Sequence, residues 1–294
     1  MWREYLCPET VDEALSLLAE RAGQARVVAG GTDLVLQLQR GEQRATRLVD
    51  ITRIKALGTI SETDGLISIG AAVTHAQLAS SPLILRRAPI LAQAAAEIGS
   101  PEVRSQATIG GNVVNAQPAA DTALALLALD AEAEIIGSSA GRWLKLVDLY
   151  RGAGVSVVDS TSELVRAFRF RPPAGATGAA YRRLGKCKSI ALPVLCAATI
   201  VQLRGDRFSG CAIALGPVAP RPLRAISAEA WLVGREASAD SIARAVSLAK
   251  EEADPRDSLL RCAKEYRQAM VGVLVQGTLE HAVAQARQTP VESS

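Results

Sequence analysis

Aromatic residues are scarce: Phe, Trp and Tyr make up only 3% of the 294 residues, against 49% hydrophobic residues in all. The core must be built from Ala, Val, Leu and Ile. Histidine is scarcer still, with His75 and His281 alone, which leaves a zinc centre or a Ser–His–Asp triad short of its residues. The five cysteines, at 7, 187, 196, 211 and 262, form no CxxC and no metal-ligand spacing. An odd, scattered set predicts buried thiols and a reducing cytosol. The longest apolar runs, 123–129 and 190–201, are too short to span a bilayer. The opening "MWREYLCPET" carries acids and no apolar stretch, so it does not read as a signal peptide. The net charge of +3 comes without a basic run interleaved with aromatics, which argues against nucleic acid. There is no GxxxxGK[ST] and no GxGxxG after a strand, hence no P-loop and no Rossmann fingerprint.

What is present is a well-buried α+β chain. Thr10 and Glu13 predict a capping box ahead of a helix that Gly23 can end. "RVVAGG" and "TRLVDI" read as short strands, with a helix between them capped by Thr32 or Asp33. "GLISIGAAV" alternates like a half-buried strand, and Thr74 with Gln77 forms a second capping box, which makes His75 a first-turn helix residue. Residues 82–99 predict one helix from Pro82 to Gly99. "DTALALLALDAE" predicts another, and "AEIIG", "RWLKLVDL" and "ELVRAFRFR" read as strands. "PPAGATG", 172–178, is the candidate boundary. Beyond it come two strands around a "GDR" turn, the rigid connector "PVAPRPLRA", a helix over 238–252 with Ser238 as its cap, and a helix over 259–286.

The chemistry points to two glycine pairs, the only ones in the chain: "VVAGGTDL" at 27–34 and "ATIGGNVVN" at 107–115. Each follows a β-branched or small-residue run and precedes polar side chains. Backbone without Cβ can approach a ligand closely and aim successive N–H groups at an anion. Few basic residues sit in these loops, so a diphosphate here would be held mainly by N–H groups from two sides. Tight turns or close strand crossings account for the same glycines, and the residues alone leave both readings open. Asp121 is likewise open: it is placed to cap the helix that begins there, or to accept hydroxyl hydrogen bonds from a sugar.

These motifs resemble the two FAD-binding signatures of the medium, flavoprotein subunits of molybdenum hydroxylases of the xanthine dehydrogenase and carbon monoxide dehydrogenase type. The resemblance runs from "YLCPETVDEALSLL" through "LYRGAGVSVVDSTSELV" to "ALGPVAPRPLRAISAE" and the C-terminal "DPRDSLLRCAKEYRQAMVGVLVQGTLEHA". It implies a two-part FAD-binding domain of the vanillyl-alcohol oxidase (PCMH) type over 1–175, with parts at about 1–58 and 59–175. A smaller C-terminal α+β domain would follow over 176–288, with a tail at 289–294. It implies FAD held non-covalently by Val27, Val28, Ala29, Gly30, Gly31, Thr32, Asp33 and Leu34 on one side. Thr108, Ile109, Gly110, Gly111 and Asn112 would hold it on the other. Thr108 would offer its hydroxyl, Gly110 and Gly111 their N–H groups, Asn112 its amide, and Asp121 its carboxylate to the adenosine half. Asn115 and Pro118 would shape the loop.

Two positions depart from the pattern: Arg182 where the family often has Lys reaching the flavin side, and Ser189 where many relatives have Asp. By the same resemblance the chain is an electron-transfer subunit in the cytoplasm. Its partners would be a large molybdopterin-binding subunit and a small subunit with two [2Fe–2S] clusters, in a dimer of heterotrimers. The extra Cys-bearing insertion of some relatives is missing. A stand-alone flavin oxidoreductase of the same fold, like the reductase of cell-wall precursor synthesis, is the alternative, and a nucleotide-binding scaffold the third reading.

Overall fold

The computed structural model describes residues 2–138, 140–186 and 192–289. Cys187 and Ser189 of the sequence reading, and the tail beyond Thr289, lie outside the described residues. The chain opens with strand β1 (Glu4–Leu6), helix α1 (Val11–Ala19), β2 (Ala25–Val28), α2 (Leu34–Gln39) and β3 (Arg47–Asp50). The strands pair in the order β1-β3-β2, all parallel. Parallel neighbours need crossovers, and the two helices provide them. The Thr10 hydroxyl accepts the Glu13 N–H at 3.2 Å and caps α1, but the Glu13 carboxylate reaches the Glu9 N–H, so the expected box is half formed.

A five-stranded antiparallel sheet follows, in the order β4-β5-β10-β6-β7. Its strands are β4 (Ile60–Thr63), β5 (Leu66–Gly70), β6 (Glu132–Ile136), β7 (Arg142–Lys145) and β10 (Leu164–Phe170); β8 (Tyr150–Gly152) and β9 (Val155–Ser156) form a small ribbon beside it. Six helices lie between β5 and β6: α3 (His75–Ser80), α4 (Pro82–Arg87), α5 (Pro89–Ala96), α6 (Pro101–Gln106), α7 (Ile109–Val114) and α8 (Asp121–Ala128). The single helix expected over 82–99 is broken in two. Pro89 has no N–H to continue the ladder of α4, and Ala88 leaves helical geometry at φ −147°. The stretch read as a loop around Gly110 is the short helix α7.

The last part is a sheet of β11 (Thr177–Gly185), β12 (Pro193–Arg204), β13 (Arg207–Gly216) and β14 (Leu223–Arg224), antiparallel in that order, with α9 (Ile226–Leu232), α10 (Ala239–Glu252) and α11 (Lys264–Gln288). The final helix starts five residues later than expected, leaving Leu259 and Leu260 exposed ahead of it. This sheet is covered on both faces. Cys196, Ala198 and Ile200 of β12 join the core of the N-terminal half, while Leu195, Ala197 and Val201 pack with α11. Burial on both faces explains why the run reads as continuously apolar.

Helix α8 sits at the centre. Every one of its residues is buried, between α5 and the C-terminal sheet. Its two ends are tied to that sheet. Arg224 donates to the Leu127 carbonyl at 2.9 Å and to Asp130 at 2.6 Å. A Cβ on Gly216 would lie 2.1 Å from the Pro118 carbonyl, so the sheet meets the segment before α8 backbone to backbone.

Candidate functional site

Both glycine loops open on one cleft of about 790 Å³. Its size is within the usual range of cofactor pockets. The N-terminal half contributes residues 26–34, Thr108, Gly110, Gly111, Asn112 and Asp121; the C-terminal half contributes Arg183, Leu192, Pro193 and Arg261. The cleft therefore lies between the two halves.

The first loop leaves β2 at Val28 and turns at Gly31, whose φ of +68° only glycine adopts readily. Leu34 then starts α2. The N–H groups of Gly30, Gly31, Thr32, Asp33 and Leu34 meet no acceptor among the described residues. Five consecutive amides without a partner along a cleft form a cradle for an anion.

The second loop works differently. Gly110 donates its N–H to the Ala71 carbonyl at 2.9 Å, and Gly111 donates to the Thr108 hydroxyl at 3.1 Å. Thr108 thus caps α7. Asn112 accepts the Thr122 hydroxyl at 2.8 Å, and the Ile109 side chain is fully buried. The expectation that Gly110 and Gly111 offer free N–H groups is corrected: both are used to build the loop. The glycines are needed for room instead. A Cβ at Gly110 would be 2.6 Å from the Ala71 carbonyl oxygen, whereas one at Gly111 would meet nothing nearer than Thr108 Oγ1 at 3.2 Å and would stand in the cleft. Gly30 joins the two loops: its Cβ would fall 2.0 Å from the Gln106 carbonyl oxygen.

Asp121 does not cap α8. The capping position is Ala120, and no side chain accepts there. Its carboxylate turns to the C-terminal sheet, where Oδ1 accepts the Tyr181 hydroxyl at 2.5 Å and lies 3.3 Å from Arg183 Nε. Burial pushes its pKa up, and the Tyr181 hydrogen bond and the Arg183 charge oppose the rise.

Arg182 is corrected as well. It is exposed and stacks beside Gly277 of α11, outside the cleft, while the adjacent Arg183 lines it. Side chains alternate along β11, so a step of one residue exchanges the faces. Counting that alternation from Tyr181 was the signal available; Arg261, on a loop far along the chain, gave none.

His75 is the first residue of α3, as expected, and lines the cleft wall. It is fully buried, with no hydrogen-bond partner on either ring nitrogen among the described residues. Burial, and secondarily the Arg104 charge, hold its pKa down at about 4. Asn115, read as a loop-shaping residue, accepts from Gln37 at 3.3 Å and links the first loop's helix to the second loop. Among the described residues no cluster of His, Cys, Asp or Glu could hold a metal, and no helix is long and apolar enough to cross a membrane.

Residues 2–172 match the family described as the FAD binding domain in molybdopterin dehydrogenase, and residues 179–282 match the CO dehydrogenase flavoprotein C-terminal domain. The carbon monoxide dehydrogenase medium chain of Hydrogenophaga pseudoflava is 31% identical over 96% of this chain and 97% of that one. The xanthine dehydrogenase FAD-binding subunit of Escherichia coli O157:H7 is 30% identical over 94% of each. A solved structure of carbon monoxide dehydrogenase from Hydrogenophaga pseudoflava superposes with a TM-score of 0.92, at 30% identity, over 97% of this chain and 98% of that one. The fold, an FAD-binding domain followed by a C-terminal α+β domain, is the one the glycine motifs implied. The chain belongs to the family of flavoprotein subunits of molybdopterin dehydrogenases, the family of the carbon monoxide dehydrogenase medium chain.

Proposed function

We propose that this chain binds FAD non-covalently in the cleft and passes electrons from [2Fe–2S] clusters on a partner subunit to an external acceptor. The observation that carries the reading is the row of five amides from Gly30 to Leu34 that have no partner among the described residues and line the same cleft as Gly111 and Asp121. Such a row suits a diphosphate: each N–H donates to an anionic oxygen, and no lysine is needed. Opposite it, the uncovered Cα of Gly111 leaves space for the phosphates, and Asp121 presents a carboxylate edge suited to sugar hydroxyls. Bound FAD supplies one- and two-electron redox chemistry, which the protein orients and tunes. Arg183 and Arg261 bring positive charge to the C-terminal side of the cleft. None of the four described thiols, Cys7, Cys196, Cys211 and Cys262, lines the cleft, and His75, which does, is closed into its wall, which fits non-covalent attachment.

The same reading assigns a large molybdopterin-binding subunit and a small iron–sulfur subunit as partners, in a cytoplasmic dimer of heterotrimers. The exposed Leu192, Leu259 and Leu260 support it. Leu192 borders the cleft, and Arg261, which follows the leucine pair, bonds the Pro193 carbonyl at 3.1 Å. These residues form an apolar rim that a lone chain would leave wet. Purification from the native source, with flavin, iron and molybdenum analysis, tests the proposal. Two further chains, iron and molybdenum are expected in the same peak. A metal-free monomer that turns over an organic substrate at an ordinary enzymatic rate would overturn it in favour of a stand-alone flavin enzyme.

A further inference from the structure

Tyr181 stands behind Asp121 and outside the cleft. Its half-buried ring packs against the core shared by the two halves, and its 2.5 Å bond to Asp121 Oδ1 crosses from the C-terminal sheet to the N-terminal half. The register of β11 on β12 sets Cys196 opposite Arg183. The buried Cys196 thiol donates to the same Oδ1 at 3.7 Å, and Arg183 Nε approaches it at 3.3 Å. Three groups of the C-terminal sheet thus converge on one oxygen, while Oδ2 meets none of them. Asp121 itself borders the cleft. A carboxylate held this way from one side has one orientation, and its second oxygen is left as an acceptor on the other.

We propose that Tyr181 is a positioning residue for the cofactor: it fixes the Asp121 carboxylate from the C-terminal sheet so that Oδ2 accepts a sugar hydroxyl of FAD in the cleft. The inference rests on the reading that FAD occupies this cleft. The hydroxyl has two sources in FAD, the ribityl chain and the adenosine ribose, and both recognise a carboxylate oxygen in the same way. The arrangement also makes the C-terminal sheet part of the binding site through a residue that never touches the ligand. A hydrogen bond to a charged acceptor is stronger than one between neutral groups, and removing its donor leaves the buried carboxylate short of a partner.

The test is a double-mutant cycle of Tyr181→Phe and Asp121→Asn, with FAD dissociation constants measured by flavin fluorescence on the purified full chain. Melting of the flavin-free proteins is followed in parallel. Tyr181→Phe keeps the ring and changes no cleft-lining atom. It is expected to weaken FAD roughly tenfold, the order set by one charge-assisted hydrogen bond. The double variant should be no weaker than Asp121→Asn alone, because the two act through one carboxylate. A Tyr181→Phe affinity equal to wild type, or fully additive losses, would overturn the proposal, whatever happens to the melting temperature. A merely structural tyrosine lowers melting and leaves the FAD constant in place. Calorimetry with ADP locates the hydroxyl: the same loss for ADP assigns the adenosine ribose, and loss for FAD alone assigns the ribityl chain. Failure of wild type to bind FAD at all would instead contradict the proposed function.

Discussion

His75 is closed inside the cleft wall, its ring nitrogens unpaired among the described residues and its pKa held at about 4, below the ordinary 6.5 of histidine. The shift has a sign for stability. Above pH 6.5 the imidazole is neutral folded and unfolded. Between 6.5 and 4 the unfolded chain takes up a proton that the folded chain refuses, so stability falls as pH falls. By pH 5 this one group costs about 2 kcal/mol relative to pH 7.5. Urea denaturation of wild type and His75→Phe at both pH values is expected to show that difference, with the wild type losing more on acidification. Equal losses would mean that the ring titrates normally and is not shut away as described.

Other residues were legible to different depths. The glycine pairs stood out because nothing else in the chain repeats their pattern, and by themselves they left a ligand loop and a tight turn both open. Their division of labour was hidden: Gly31 is used for its positive φ, Gly30 and Gly110 for contact with neighbouring backbone, and Gly111 for an open face on the cleft. Only the three-dimensional neighbours of each Cα separate those roles.

At the scale of elements, the second loop shows why local reading failed. Gly110 and Gly111 argue against a helix by propensity, yet Thr108 caps one, and the α7 segment docks just past the end of β5 through the Gly110–Ala71 bond. Tertiary contact outweighed propensity. The Thr74–Gln77 capping box, the Thr10 cap, the GDR hairpin and the Ser238 cap were readable because each is set by residues within a few positions. Strand β11 was missed as a unit, and with it the alternation that sends Arg183 to the cleft and Arg182 to α11. The contact between the first loop and the end of α6 gives a prediction of its own. Gly30→Ala places a methyl against the Gln106 carbonyl, a backbone atom that cannot swing aside. The two loops must separate, at roughly 1–3 kcal/mol, the usual cost of overpacking. Thermal melting should fall together with FAD content, and a variant with unchanged melting would show that the loops are not in contact as described.

At the scale of the molecule, α8 is the hub. It is buried all round, tied at one end to Tyr181 and at the other to Arg224, and the cleft opens beside its first residue. The N-terminal half supplies the amides and Asp121, and the C-terminal half supplies Arg183, Arg261 and one wall. A cofactor lying across the junction would be gripped by both. The central claim is that this cofactor is FAD, seated with its phosphates between the glycine loops. Gly111 tests it most directly, since it lines the cleft and a Cβ there would press on no backbone, only on Thr108 Oγ1 at 3.2 Å. Wild type and Gly111→Val are purified identically, and flavin is released by denaturation and quantified against protein, with circular dichroism as the check on folding. Near one FAD per chain in wild type and almost none in a folded Gly111→Val variant is the predicted result; a full FAD complement in the variant would contradict it.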